Sequence, residues 1–289
     1  MKDKVNFLFV LVVWICTMVT PVQAQSDSIV VDTLHQEGNV IQNGEALNNF
    51  FTLIKSQREH PKQINILHLG DSHIEMGYFV EEARRCFKDN FALAGFGMLF
   101  PYQLAKSVPY FVQTKSTKGV WEGKCYLKSE SDYKYGVAGF TIKTQSKVSE
   151  FEMQAVKCDS TILSGNKMVI YYSGDDSSLI TIQGINYSID SINKVTPINF
   201  ETENIQGDGF QYKKTTFFFN QTINKVIVNV NQQKDSLPFY ISGIQFLNHE
   251  KPGIVYHNCG VVGATFKQLS KNSSLSISQI SDINPDLII

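Results

Sequence analysis

The sequence predicts an α/β fold, a three-layer parallel sheet interrupted by an inserted all-β sandwich domain. Three observations carry this expectation. An apolar run of strand length, Ile64-Asn65-Ile66-Leu67-His68-Leu69, breaks off at Gly70 and gives way to a helical pattern at residues 78–90. Residues 111–247 then lose helical periodicity and read as short strands between turn signals. A strand-and-helix pattern resumes in residues 248–289, so the β region is inserted rather than appended.

In chain order, the first element is an export signal. Lys2 and Lys4 precede an apolar run at residues 5–19, and Val22-Gln23-Ala24 supplies the small residue that signal peptidase selects, so residues 1–24 read as a cleaved signal peptide. The expected location is the periplasm or cell surface, with no stable membrane span after cleavage. Residues 25–43 are polar and aperiodic, a spacer. Residues 44–110 form the first part of the α/β domain. Ala46, Leu47, Phe50, Phe51 and Ile54 recur at helical spacing before Pro61 closes the segment. The strand at 64–69 and the turn at Gly70 come next. In the helix at 78–90, Phe79, Ala83, Cys86 and Phe87 share one face, with Glu81, Glu82, Arg84 and Arg85 outside it.

The inserted domain covers residues 111–247. Its runs at 167–172, 179–182, 215–219, 225–230 and 239–246 are rich in Val, Ile, Thr, Tyr and Phe, and clusters such as Gly174-Asp175-Asp176 and Gly207-Asp208-Gly209 separate them. In the second α/β part, residues 248–289, Gly253-Ile254-Val255-Tyr256 reads as a strand, residues 264–269 start a helix, and Leu287-Ile288-Ile289 begins another strand.

Composition narrows the function classes. Lys and Arg number 26 against 27 for Asp and Glu, which leaves no basic excess for a phosphate backbone and argues against a nucleic-acid partner. Beyond the signal, Cys86, Cys125, Cys158 and Cys259 form no Cys-x-x-Cys pair, and their disulfide pairing stays open among three alternatives. The six histidines are scattered, so no metal site is expected.

Gly70-Asp71-Ser72-His73, set between a strand and a helix, resembles the first conserved block of the SGNH (GDSL-like) ester hydrolases. The local chemistry agrees, because a serine just past a strand end is held exposed and its own N–H lies near a helix start, where it can face a developing oxyanion. A second block, Tyr256-His257-Asn258-Cys259-Gly260-Val261-Val262-Gly263, is similar to the family's turn carrying an oxyanion-hole glycine. The resemblance implies Ser72 as nucleophile and oxyanion N–H, Gly263 as the second oxyanion N–H, and Gly70, Asp71, His73 and Gly260 as residues that support the motif. It also implies that the Gly-x-Asn-Asp block and the Asp-x-x-His block with the catalytic base fall beyond Ile289, so that the chain is truncated at its C-terminus. Asp32-Thr33-Leu34-His35 has the literal Asp-x-x-His spacing but precedes the nucleophile and sits in the spacer, so it is read as chance. His73 is read as a turn residue rather than the base, and His68, His249 and His257 as structural.

An inserted β domain further resembles peptidoglycan O-acetylesterases and related polysaccharide esterases. The implied activity is removal of O-acetyl groups from a cell-wall or other glycan through an acyl-enzyme on Ser72, without a cofactor, the acetylated glycan being the partner. Two alternatives stay open at this point: acetyl transfer to a polysaccharide, and glycan binding without catalysis. Trp121, Tyr133, Tyr135, Tyr171 and Tyr172 are candidate sugar platforms, with core packing the competing role for most of them.

Overall fold

The computed structural model describes residues 43–107, 109–127, 133–155, 164–187, 192–207, 210–234, 236–269 and 274–289. The expected signal peptide, nearly all of the spacer and Cys158 lie outside the described residues. Residues 49–289 form one compact unit, which holds every strand that is described. Among the described residues no helix is long and apolar enough to cross a membrane.

The helix α1 (Asn48–Ser56) turns Phe50, Leu53 and Ile54 onto the core. Gln57 closes it, its side-chain amide bonded in both directions to the Lys62 backbone just past Pro61. The strand β1 (Gln63–Gly70) follows, then the single helical turn α2 (Ser72–Glu75), the helix α3 (Tyr78–Asn90) and the strand β2 (Gly95–Leu99). Far along the chain, β14 (Gly253–Gly260) pairs with one side of β1 and the short β15 (Leu287–Ile288) with the other, both in parallel. All eight residues of β14 are buried. Such continuous burial is the mark of a strand covered on both faces.

The intervening chain makes two antiparallel sheets. One has the order β10 (Asn199–Gly207), β11 (Phe210–Ile223), β7 (Gly165–Ser173), β13 (Phe239–Leu247), β5 (Phe140–Thr144), β4 (Trp121–Cys125), with β2 also pairing to β13. The other has the order β3 (Val112–Lys118), β6 (Val148–Ala155), β12 (Lys225–Asn231), β8 (Leu179–Tyr187), β9 (Ile192–Val195). Period-two alternation sets their inner faces: Val226, Val228 and Val230 of β12 are buried while the residues between them face outward. These side chains join Phe151, Phe217, Phe239, Ile66 and Tyr256 in one continuous core.

The expected fold class is therefore corrected. Among the described residues the chain is mostly β, with antiparallel sheets of seven and five strands, and the parallel sheet has three strands rather than forming a three-layer α/β fold. The reason lies in the connections. Each further parallel strand needs a crossover of a dozen or more residues, normally helical. Among the described residues α3 and α4 (Ser274–Ile283) are the helices longer than a single turn that follow a strand of the parallel sheet, whereas the strands described between residues 112 and 247 all pair antiparallel. After α3 the chain makes a single parallel bridge to β14, Leu93 with Ile254, before β2 runs antiparallel to β13.

The inward face of α3 is corrected in part, since Ala83 and Phe87 pack on the core as expected. Val80, Glu81 and Arg84 are its buried residues, while Phe79 is 59% exposed and Cys86 is exposed. Arg84 is among the most buried side chains of the protein. Its guanidinium pairs with Glu81, donates to the carbonyls of Phe96 (2.8 Å) and Tyr256 (2.7 Å), and stacks 3.8 Å from the Phe96 ring centroid. A charged residue thus faces inward because its partners are already there.

Removing one member of such a buried pair strands the other in low dielectric and typically costs about 3–5 kcal/mol. Arg84→Ala is expected to lower unfolding stability in urea by that amount. Arg85→Ala is expected to leave the midpoint nearly unmoved, since Arg85 meets Glu82 and Asp89 at the exposed surface of the same helix. Equal effects of the two substitutions would refute the assigned role of Arg84.

Candidate active site

Two turns leave the same edge of the parallel sheet. β1 and β14 pair from Gln63 with Gly253 to Gly70 with Gly260, so both strands end level although those glycines are 190 positions apart (260 − 70 = 190). The first turn carries Asp71, Ser72 and His73, and the second carries Val261, Val262 and Gly263.

Asp71 caps α2. Its carboxylate accepts from the His73 N–H at 3.0 Å and lies 3.1 Å from His73 Nδ1, and these contacts, the backbone one first, hold its pKa below the usual carboxylate value. Ser72 opens the helical turn and is half-buried. Among the described residues, no acceptor engages its N–H and no partner its hydroxyl. A free N–H at the first residue of a helical turn is positioned to receive negative charge.

Gly260 is a close-approach position. A Cβ there would sit 2.2 Å from Glu75 N and 2.7 Å from the Ile74 carbonyl carbon, so only a glycine lets β14 end against α2. Gly263 is exposed and has φ +80°, a left-handed conformation that a turn at this point requires. Its amide, like that of Ser72, meets no acceptor among the described residues.

Three links join the turns. Val261 N–H donates to Gly70 O at 3.0 Å, and Asn258 Nδ2 donates to Ile74 O at 2.8 Å while its Oδ1 accepts from Gly260 N–H at 3.2 Å. The third is Glu75, which accepts from the Val262 N–H and from the Ser107 hydroxyl. Glu75 is 1% exposed, and burial pushes its pKa above the ordinary value. Glu75, Val262, Ser107, Trp121, Lys124 and Phe140 line a cleft of about 740 Å³ beside the turns.

All six residues singled out from the motif, Gly70, Asp71, Ser72, His73, Gly260 and Gly263, therefore lie at one sheet edge. His68, His249 and His257 do not. His68 is bonded through Nδ1 to the Tyr256 hydroxyl at 2.8 Å inside the sheet, His257 is 1% exposed, and the His249 backbone is held by Asn166. Of the candidate platforms, Trp121 lines the cleft, whereas Tyr133, Tyr135, Tyr171 and Tyr172 are buried. Cys86, Cys125 and Cys259 form no disulfide with one another. No group of three or more metal-ligating side chains occurs among the described residues.

Sequence reasoning missed Asn258 and Glu75. The Asn258 signal was an amide inside an otherwise apolar strand, and the Glu75 signal was a carboxylate one helical turn beyond Ser72.

No protein-family profile and no curated protein matches the sequence. Among solved structures, the chain is similar to a peptidoglycan O-acetylesterase, with a TM-score of 0.56 and 16% identity over 83% of this chain and 59% of that one. At that identity the likeness shows the fold alone, and the chain spans 59% of the length of the structure it matches. The catalytic domain of a GH87 alpha-1,3-glucanase, solved with tetrasaccharides, matches 55% of this chain at 12% identity and a TM-score of 0.24, too low to support an argument.

The buried histidine of β14 makes stability depend on pH. Burial, reinforced by the nearby Arg84 charge, takes the His257 pKa from 6.5 down to about 3. Within that window the unfolded chain binds a proton that the fold excludes, so the His257 contribution is intact above it and falls by about 1.4 kcal/mol per pH unit on acidification. Glu75 acts with the opposite sign, because a raised carboxyl pKa means the fold takes up its proton first. His257→Gln, measured by urea unfolding from neutral to acid pH, is expected to flatten the acid limb of the stability profile. An unchanged slope would remove His257 from the account.

Proposed function

We propose that this protein is a serine esterase of SGNH type, exported to the periplasm or cell surface, which removes O-acetyl groups from a cell-wall glycan. The observation that carries the reading is the parallel pairing of Gly70 with Gly260, which sets the Ser72 turn and the Gly263 turn side by side and leaves an unengaged backbone N–H on each. The similarity in fold to a peptidoglycan O-acetylesterase supports the choice of substrate class.

In the proposed reaction the Ser72 hydroxyl gives up its proton to a histidine base and attacks the acetyl carbonyl. The carbonyl oxygen becomes an oxyanion held by the N–H groups of Ser72 and Gly263, a kind of donor worth roughly 3 kcal/mol each in comparable sites. The tetrahedral intermediate collapses, the sugar oxygen leaves with the proton, and the acetyl group stays on Ser72 until water releases it as acetate. Among the described residues no histidine bonds to the Ser72 hydroxyl, and His73, the histidine on these turns, directs Nδ1 to Asp71. Residues 111–247 would hold the glycan chain, with Trp121 at the cleft contacting a sugar ring.

The test measures acetate release from an activated acetyl ester and from O-acetylated peptidoglycan by the full-length protein. Ser72→Ala is expected to lower turnover by at least about a thousandfold, leaving only catalysis from binding and the oxyanion site. Activity that survives this substitution would overturn the reading. Acetyl groups appearing on added glycan in place of free acetate would redirect it to acetyl transfer.

A further inference from the structure

We infer that Glu75 is a positioning residue, whose carboxylate fixes the peptide next to Gly263 in register with the Ser72 turn. The inference rests on the reading of Ser72 and Gly263 given above and concerns how their geometry is held.

Glu75 lies one helical turn beyond Ser72 and is almost completely enclosed. A buried carboxylate is expensive unless it is paired and hydrogen-bonded. Among the described residues no Lys, Arg or His forms an ion pair with it. Its partners are two neutral donors, the Ser107 hydroxyl and the Val262 N–H. An apolar side chain of similar size would fill the same space at lower desolvation cost, so packing alone does not account for a carboxylate here.

What the carboxylate adds is reach. The Val261 to Gly70 bond and the Asn258 to Ile74 bond both act at the level where the strands end. Of these three links the Glu75 one alone reaches Val262, the residue whose carbonyl shares a peptide plane with the Gly263 N–H, within a turn that the Ala264 N–H closes onto the Val261 carbonyl at 2.9 Å. Gly263 itself has a left-handed conformation and carries no side chain to anchor it. Fixing Val262 therefore limits the rotation available to the Gly263 amide. Ser107 completes the arrangement from the opposite side, since it orients the carboxylate and also lines the cleft. Glu75 thus ties three parts together: the nucleophile turn, the glycine turn and one cleft wall. An oxyanion donor acts through direction as well as presence, so a loosened amide loses transition-state stabilisation while ground-state binding persists.

The experiment uses the full-length protein with Ser72→Ala, Glu75→Gln, Glu75→Leu and Ser107→Ala variants, the activated acetyl ester as probe, and hydrogen exchange of the segment spanning Val262 and Gly263 as a second readout. Gln can accept from Val262 N–H and donate to Ser107, so Glu75→Gln is expected to keep kcat within about threefold. Glu75→Leu keeps the volume but not the acceptor. Its kcat is expected to fall about a hundredfold with KM within about threefold, and exchange at Val262 and Gly263 is expected to accelerate. Ser107→Ala, the milder change, is expected to lower kcat about tenfold and carries the test if Glu75→Leu does not fold. The proposal is overturned if a folded Glu75→Leu retains kcat with unchanged exchange, if Glu75→Gln is as impaired as Glu75→Leu, or, where Glu75→Leu does not fold, if Ser107→Ala matches the unmodified protein. Activity persisting in Ser72→Ala would instead sink the serine esterase reading, which keeps the two failures distinct.

Discussion

One buried guanidinium sets the frame on which the rest of the site depends. Arg84 reaches from α3 to a carbonyl on β2 and a carbonyl on β14, and so joins the antiparallel sheet to the parallel one through a single planar cation. A guanidinium suits this position because its fork offers several donors in fixed directions and its flat face stacks on Phe96. Glu81, one turn earlier on the same helix, balances the charge. The arrangement fixes where α3 lies on β14, and α3 begins only a few residues after Ser72. The Ser72 turn is therefore constrained at its start by β1 and at its end by a cation.

From that frame the candidate site is built mainly out of backbone. The level ends of β1 and β14 come from register, the close approach at Gly260 comes from a missing side chain, and the unengaged amides of Ser72 and Gly263 are main-chain groups. Side chains act here chiefly as ties: Asp71 caps the first turn, Asn258 links the strand to Ile74, and Glu75 holds the second turn. Each tie satisfies a donor that would otherwise be stranded as the strands end, so satisfying the backbone and shaping the site are the same operation.

The site was legible in the sequence to the extent that its signals were local. An apolar run stopped by Gly70, and a second glycine turn after a buried strand, mark places where the chain must bend sharply, and both turns stand at one sheet edge. The fold class was less legible because parallel and antiparallel strands share the same composition, and the count of crossover helices, not the strand pattern, limits the parallel sheet. The inward face of α3 was misread for a different reason. Arg84 looks like a surface residue until its acceptors on distant strands are known, and periodicity has no way to represent a guanidinium whose carbonyl acceptor lies 172 positions away. Glu75 escaped notice likewise, as a lone carboxylate in a four-residue helical turn has no period to read. Of the candidate sugar platforms, Tyr133, Tyr135, Tyr171 and Tyr172 take the competing role of core packing, Tyr171 and Tyr172 from a strand and Tyr133 and Tyr135 from an irregular segment.

The wide separation between β1 and β14 also bears on the order in which the chain acquires its structure. Closing a loop of 190 positions is entropically unfavourable for a disordered chain, although each doubling adds only about 0.6 kcal/mol. Adjacent antiparallel neighbours such as β10 and β11 face almost no such barrier. Pairing of β2 with β13 brings Gly95 beside Leu247, and from there the paths back to Gly70 and on to Gly253 are both short. The antiparallel sheets thereby act as a clamp that shortens the effective loop before the parallel strands meet. By contact order the two turns are expected to assemble late, and a nascent chain carries Ser72 through synthesis long before its partner turn exists.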